Sequence, residues 1–190
     1  MTILAGKKGL IMGVANNRSI AWGIAEQASK YGADLAFTYQ GDALQKRVEP
    51  LAKSVGSDIV LPCDVTDTSS VAEMFKELEK RWGKLDFLVH AIAYSDKEEL
   101  RGKYLDTSLG NFKNTMEISA FSLVAVAKGA EELFKKAGGG SIVTLSYYGA
   151  EKVMPHYNVM GVAKAALEAS VRYLAMDMGK DNVRVNAISA

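Results

Sequence analysis

The chain has a single cysteine, Cys63, which excludes an intrachain disulfide and fits a reducing compartment. Histidine is nearly as scarce. His90 and His156 are the only two, and neither stands at metal-ligand spacing with Cys63, which sets aside a structural zinc site. No stretch reaches the roughly 18 apolar residues that a membrane span needs. The opening residues lack the apolar core and small-residue cleavage site of a signal peptide. Neither sign of charge is in excess: 23 basic against 22 acidic residues leave a net +1, interspersed, with no pull toward nucleic acid or membrane. There are three prolines, no repeat and no low-complexity tract, so nothing marks a linker. What remains is a chain of 190 residues, long enough for one domain with a sizeable core.

Strand and helix patterns alternate throughout. Apolar runs at 8–14, 33–39, 58–62, 85–92, 141–145 and 183–188 read as strands, the fourth apolar enough to be buried on both faces. Between them, 20–30, 42–55, 70–82, 109–136 and 157–178 read as helices. Ser19 is a good N-cap for the first, and Gly32 closes it. Pro50 should kink or interrupt the second. Residues 93–107 read as a loop. Such alternation implies parallel strands joined by right-handed crossovers. The expected architecture is α/β, a doubly wound parallel sheet of Rossmann type with helices on both faces. One dinucleotide-binding catalytic domain spans 1–190, and the abrupt end at Ser189-Ala190 suggests truncation after the sixth strand.

In such sheets ligands bind beyond the carboxyl ends of the strands, and the first strand-to-helix turn is the phosphate seat. That turn, residues 13–23, lacks the usual G-x-G-x-x-G. Gly13 can still make the tight bend, and Ser19 can cap the helix and bond a phosphate. The second strand ends in Tyr39-Gln40 where an acidic residue usually meets the adenosine ribose. Gln40 can hydrogen-bond a hydroxyl but carries no charge, while Lys46 and Arg47 lie further on. The residues alone leave NAD and NADP open. Asp64, with Val65 beside it, can accept the adenine amino group, and the small residues flanking Ile92 would let a ribose lie against the backbone.

Tyr157 precedes Lys164 by seven positions, close to two turns of helix, which places phenol and ammonium on one face. A cation there lowers a tyrosine pKa, and burial opposes it. Together these features resemble the short-chain dehydrogenase/reductase superfamily, whose usual motif is Tyr-x-x-x-Lys. Here Gly161 stands where that lysine would be. The seven-residue spacing, the turn 19–23, Gln40, Cys63-Asp64-Val65 and the run 145–151 resemble instead the divergent branch, the bacterial NADH-dependent enoyl-acyl-carrier-protein reductases. The resemblance implies Tyr157, Lys164 and Tyr147 as catalytic. It implies Gly13, Ser19, Ile20, Gln40, Asp64, Val65, Ile92 and Lys164 as cofactor contacts, and Ser95, Tyr147 and Tyr157 as substrate contacts. It further implies NADH as cofactor and reduction of the trans-2 double bond of an enoyl thioester in fatty acid elongation. Acyl carrier protein would be the partner, and a cytoplasmic homotetramer built on the fourth and fifth helices the form. Tyr148 reads as structural. Two alternatives stand: a conventional short-chain carbonyl reductase or alcohol dehydrogenase, and a non-catalytic NAD(P)-binding protein on the same fold.

Overall fold

A computed structural model describes residues 2–190. Six strands form one parallel sheet: β1 (Lys8–Met12), β2 (Asp34–Tyr39), β3 (Ile59–Pro62), β4 (Phe87–His90), β5 (Gly140–Ser146) and β6 (Val183–Ser189). Their order is β3-β2-β1-β4-β5-β6, with every neighbouring pair parallel. The order reverses between β1 and β4. A doubly wound sheet opens its ligand crevice at that reversal.

Side chains alternate across the pleat. On β1, Leu10 and Met12 point to one face and Ile11 to the other. The first face packs against α3 (Thr68–Trp82), α6 (Ser122–Ala137) and α7 (Asn158–Gly179) through Phe75, Leu78, Leu123, Val126 and Leu167. The second packs against α1 (Ile20–Lys30) and α2 (Gly41–Ser54) through Trp22, Ala25, Val48 and Ala52. The expected double winding is therefore present.

The differences from the sequence reading have physical reasons. Pro50 leaves α2 continuous. It lies on the exposed side, as does Lys46, whose carbonyl loses its helical partner there but is open to solvent. The expected loop at 93–107 contains a short helix, α4 (Lys97–Arg101), capped by the Asp96 carboxylate, and a 3-10 turn at Tyr104–Asp106. The expected long helix at 109–136 is divided. It is α5 (Leu109–Met116), a π-helical turn at Glu117–Phe121, and then α6. The Asp67 carboxylate caps α3 by accepting from Ser69 N. The last helix starts at Asn158, so Tyr157 is its N-cap and lies outside it.

Candidate active site

The cofactor end of the site grows from the first turn. Gly13 has φ +97°, and a Cβ there would lie 2.0 Å from the carbonyl oxygen of Ala91. Only glycine lets this turn lie directly on the end of β4. Ser19 stands at the N-cap but does not cap as expected. Its hydroxyl accepts from Ala15 N at 3.0 Å and Asn16 N at 3.1 Å, which folds the turn from within. The start of α1 thus has no side-chain cap. Trp22 N and Gly23 N donate to the Ser19 carbonyl, which leaves the N–H groups of Ile20 and Ala21 for an anion.

Gly13, Gln40, Asp64, Val65 and Ile92 line one cleft of about 450 Å³ at the carboxyl ends of β1–β4. Gln40 Nε2 donates to the Asp64 carboxylate at 2.9 Å. Two bonds from Thr66, at 2.7 and 2.9 Å, hold that carboxyl below its ordinary range, and it stays an acceptor. Burial, with Asp64 nearby, pushes the adjacent Cys63 thiol up to about 11, so it packs as a neutral group. Ser19 and Ile20 are not part of this lining. The Ile20 side chain faces a second, larger cavity of about 960 Å³ that lies over Val89 and Val143. Its backbone N–H is the only part of Ile20 that suits a cofactor.

A dinucleotide fits these residues. The glycine cradle excludes any side chain, an uncapped helix start points its donors outward, and Gln40 and Asp64 supply polar contacts at the far end.

The catalytic end is built by the turn after β5 and the start of α7. The rings of Tyr147 and Tyr157 meet edge to face with centroids 4.8 Å apart. Gly149 makes room for this. A Cβ on it would come within 2.5 Å of the Tyr157 ring. Lys164 is buried on α7, and its ammonium donates to the carbonyl of Leu145 at 2.6 Å, leaving two donors uncommitted. Burial lowers the Lys164 pKa. The Tyr157 hydroxyl is pushed up to about 12, by burial first and then by Tyr147. Both influences raise it, and the lowering expected from a neighbouring cation is not seen at this phenol. Tyr148 lies in a 3-10 turn, half exposed and apart from the ring pair.

The structure explains why no lysine occupies position 161. Gly161 presses on the turn after β5, and a Cβ there would lie 2.8 Å from the carbonyl oxygen of Gly149. The same contact that seats Tyr157 excludes the usual Tyr-x-x-x-Lys. The offset of seven is not two helical turns either, because Asn158 has φ +38° and the helix only begins there.

The Ser95 hydroxyl is engaged by Thr115 at 2.9 Å and by Asn111 at 3.2 Å. Several residues near the site escaped the sequence reading. Glu168 accepts from the Ser146 hydroxyl at 2.5 Å, and the signal was its position one turn beyond Lys164. Ser119 holds Tyr94 by both backbone groups, and Ser122 reaches the buried His90. Serines spaced by three within an apolar helix were the available mark.

Residues 13–190 match the family model described as enoyl-(acyl carrier protein) reductase. The chain is 63% identical over 188 residues to enoyl-(acyl-carrier-protein) reductase (NADH) 1 of Rhizobium meliloti strain 1021, covering 99% of this chain and 68% of that protein. It is 61% identical over 188 residues to the NADH enoyl-(acyl-carrier-protein) reductase FabI of Rickettsia bellii strain RML369-C, covering 99% of this chain and 71% of that one. Among solved structures, the enoyl-(acyl-carrier-protein) reductase of Anaplasma phagocytophilum in complex with NAD superposes with a TM-score of 0.96 at 60% identity, over 98% of this chain and 71% of that one.

Proposed function

This chain belongs to the enoyl-(acyl carrier protein) reductase family, and on that premise we propose that it reduces the trans-2 double bond of an enoyl-acyl-carrier-protein thioester with NADH. This is the reductive step of fatty acid elongation that saturates the acyl chain. The observation that carries the reading is the pairing of the Tyr147 and Tyr157 phenols, with Lys164 buried on α7 and glycine at 161. A conventional carbonyl reductase needs its lysine at that glycine.

When bound, NADH supplies a hydride to the β-carbon of the enoyl thioester. Gly13, Ser19, the Ile20 N–H, Gln40, Asp64, Val65 and Ile92 are the residues proposed to hold it, with Lys164 at the ribose. As negative charge develops on the thioester oxygen, the Tyr157 hydroxyl donates a hydrogen bond to it, and the enolate would then take a proton from water at the α-carbon to give the saturated thioester. A donor already aimed at developing charge is often the largest catalytic contribution. Its raised pKa keeps the proton on the phenol. Lys164 adds positive charge close by, with Leu145 orienting its ammonium. Tyr147 packs on the Tyr157 ring, fixes its tilt and lines the acyl side, with Ser95 opposite.

Acyl carrier protein is the proposed bearer of the substrate. Among the described residues no helix is long and apolar enough to cross a membrane. The same reading takes residues 1–190 as one catalytic domain, gives it a cytoplasmic location and makes the assembly a homotetramer. Phe121, Tyr173 and Met176, exposed where α6 begins and along α7, support the last of these. The test is a steady-state assay. Oxidation of NADH should follow addition of a crotonyl thioester and not of a β-ketoacyl thioester. The reverse preference overturns the proposal. NADH binding without turnover of either substrate would mark a nucleotide-binding protein instead.

A further inference from the structure

Two residues with left-handed backbone flank Tyr157: His156 at φ +60° and Asn158 at φ +38°. Asparagine tolerates that region better than most residues with a side chain. Asn158 does more than tolerate it. Its amide Nδ2 donates to the carbonyl of Glu99 at 2.9 Å and to the carbonyl of Gly102 at 2.8 Å. These two acceptors belong to the end of α4 and the residue that stops it. The last carbonyls of a helix have no partner inside it. Asn158 therefore caps α4 from a distant element.

The connection continues beyond α4. The Glu99 carboxylate accepts from the backbone and hydroxyl of Ser108 and from the side chain of Asn111. The Asn111 side-chain oxygen accepts from Asp96 N at 2.9 Å, and its amide donates to the Ser95 hydroxyl at 3.2 Å. A continuous run of hydrogen bonds thus leads from the neighbour of Tyr157 to Ser95. The helix in the middle of that run is five residues long and has no buried residue. A helix this short has no stability of its own, so ties of this kind decide where it sits.

We infer that Asn158 is a positioning residue, whose amide straps the 95–102 segment to the start of α7 and sets the width of the acyl site between Ser95 and Tyr157. This rests on the enoyl-reductase reading. Two substitutions separate the backbone role from the amide role. Asn158→Gly keeps a backbone at ease with positive φ and deletes both donors. Asn158→Ala deletes the donors and strains the backbone as well.

Three quantities are measured: amide hydrogen exchange across 97–103, the kinetic constants for crotonyl thioester, and the affinity for NADH. In Asn158→Gly, exchange across 97–103 should accelerate about tenfold and KM for the thioester should rise about tenfold, as expected for loss of two hydrogen bonds. NADH affinity should stay within about twofold. If Asn158→Gly matches the unmutated protein and only Asn158→Ala is impaired, the residue merely starts a helix and the inference is wrong. A parallel loss of NADH affinity would also overturn it, as a sign of general disruption. If the unmutated protein reduces no enoyl thioester, the functional reading fails by itself. Exchange across 97–103 then still decides the strap, and an unchanged rate in Asn158→Gly removes it.

Discussion

Burial and the adjacent Tyr147 ring push the Tyr157 hydroxyl up to about 12, so from pH 7 to pH 9 the phenol holds its proton and acts as a donor. Removing that donor leaves the ring, its packing and the cofactor cleft in place. Tyr157→Phe should therefore lower kcat about 10²–10³-fold, the usual consequence of losing one donor to a developing oxyanion, with NADH affinity nearly unchanged. A comparable loss of NADH binding in a fluorescence titration would show that the phenol serves the cofactor and not the substrate. Gly161 makes a second prediction of the same scale. A Cβ at 2.8 Å from a backbone oxygen can be relieved only by moving the turn after β5. Gly161→Ala should cost about 1–3 kcal/mol in urea unfolding, as overpacking does, and should lower turnover by displacing Tyr157. An unchanged midpoint would mean that the turn yields freely. Spacing and resemblance singled out Tyr157, Lys164 and Tyr147 as the proposed catalytic set, and the fold brings the rings of Tyr147 and Tyr157 together. The reason for the spacing was not readable, since it depends on a left-handed Asn158 and on a glycine pressed against a turn distant in the chain.

At the scale of elements, the π-helical turn at Glu117–Phe121 is the part that no pattern announced. Apolar spacing across 109–136 reads as one helix because a single wide turn adds no compositional mark. Its effect is local and specific. Ser119 accepts from Tyr94 N and donates to Tyr94 O, both at 3.0 Å. Three residues on, Ser122 meets His90 Nε2 at 2.8 Å. Two serines on one side of a helix thus pin the end of β4 and the residues that follow it, where Ile92, Ala93 and Tyr94 line the cofactor cleft. Ser119→Ala frees both backbone groups of Tyr94. It should weaken NADH binding about 3–10-fold, the loss expected for one or two neutral hydrogen bonds, with kcat at saturating NADH little changed. Equilibrium titration with NADH checks this, and an unaltered affinity would show that the serine clamp is idle. Strands were readable because they are short, apolar and bounded by glycine or polar residues. The short α4 was not, because its position depends on contacts with Asn158 and Asp96 more than on its own sequence.

For the whole molecule, regular alternation of the two periodicities determined the parallel sheet and its two covered faces, which is why the fold was readable almost throughout. Stability against pH is a property that only the folded assembly of these layers reveals. His90 ends β4 in the middle of the sheet, fully buried, with Nδ1 2.9 Å from the Thr144 hydroxyl and Nε2 2.8 Å from the Ser122 hydroxyl. Burial first, and then the charge of Lys164, push its pKa from 6.5 down to about 3. The folded protein therefore refuses a proton that the unfolded chain accepts. The stability tied to neutral His90 is complete above about pH 6.5 and is lost progressively as pH falls toward 3. The carboxylates act lower. Asp64 and Asp86 are depressed below their ordinary 3.8, so their contribution is lost only as pH falls below that value. Between pH 6 and pH 5 the slope should thus belong mainly to His90. Urea midpoints measured at pH 7, 6 and 5 should fall steadily in the unmutated protein. His90→Gln, which keeps polar groups between the two hydroxyls but cannot be protonated, should start less stable and show a much flatter decline. An equally steep decline in that variant would assign the slope to other groups and leave His90 as a packed side chain with no part in the pH response.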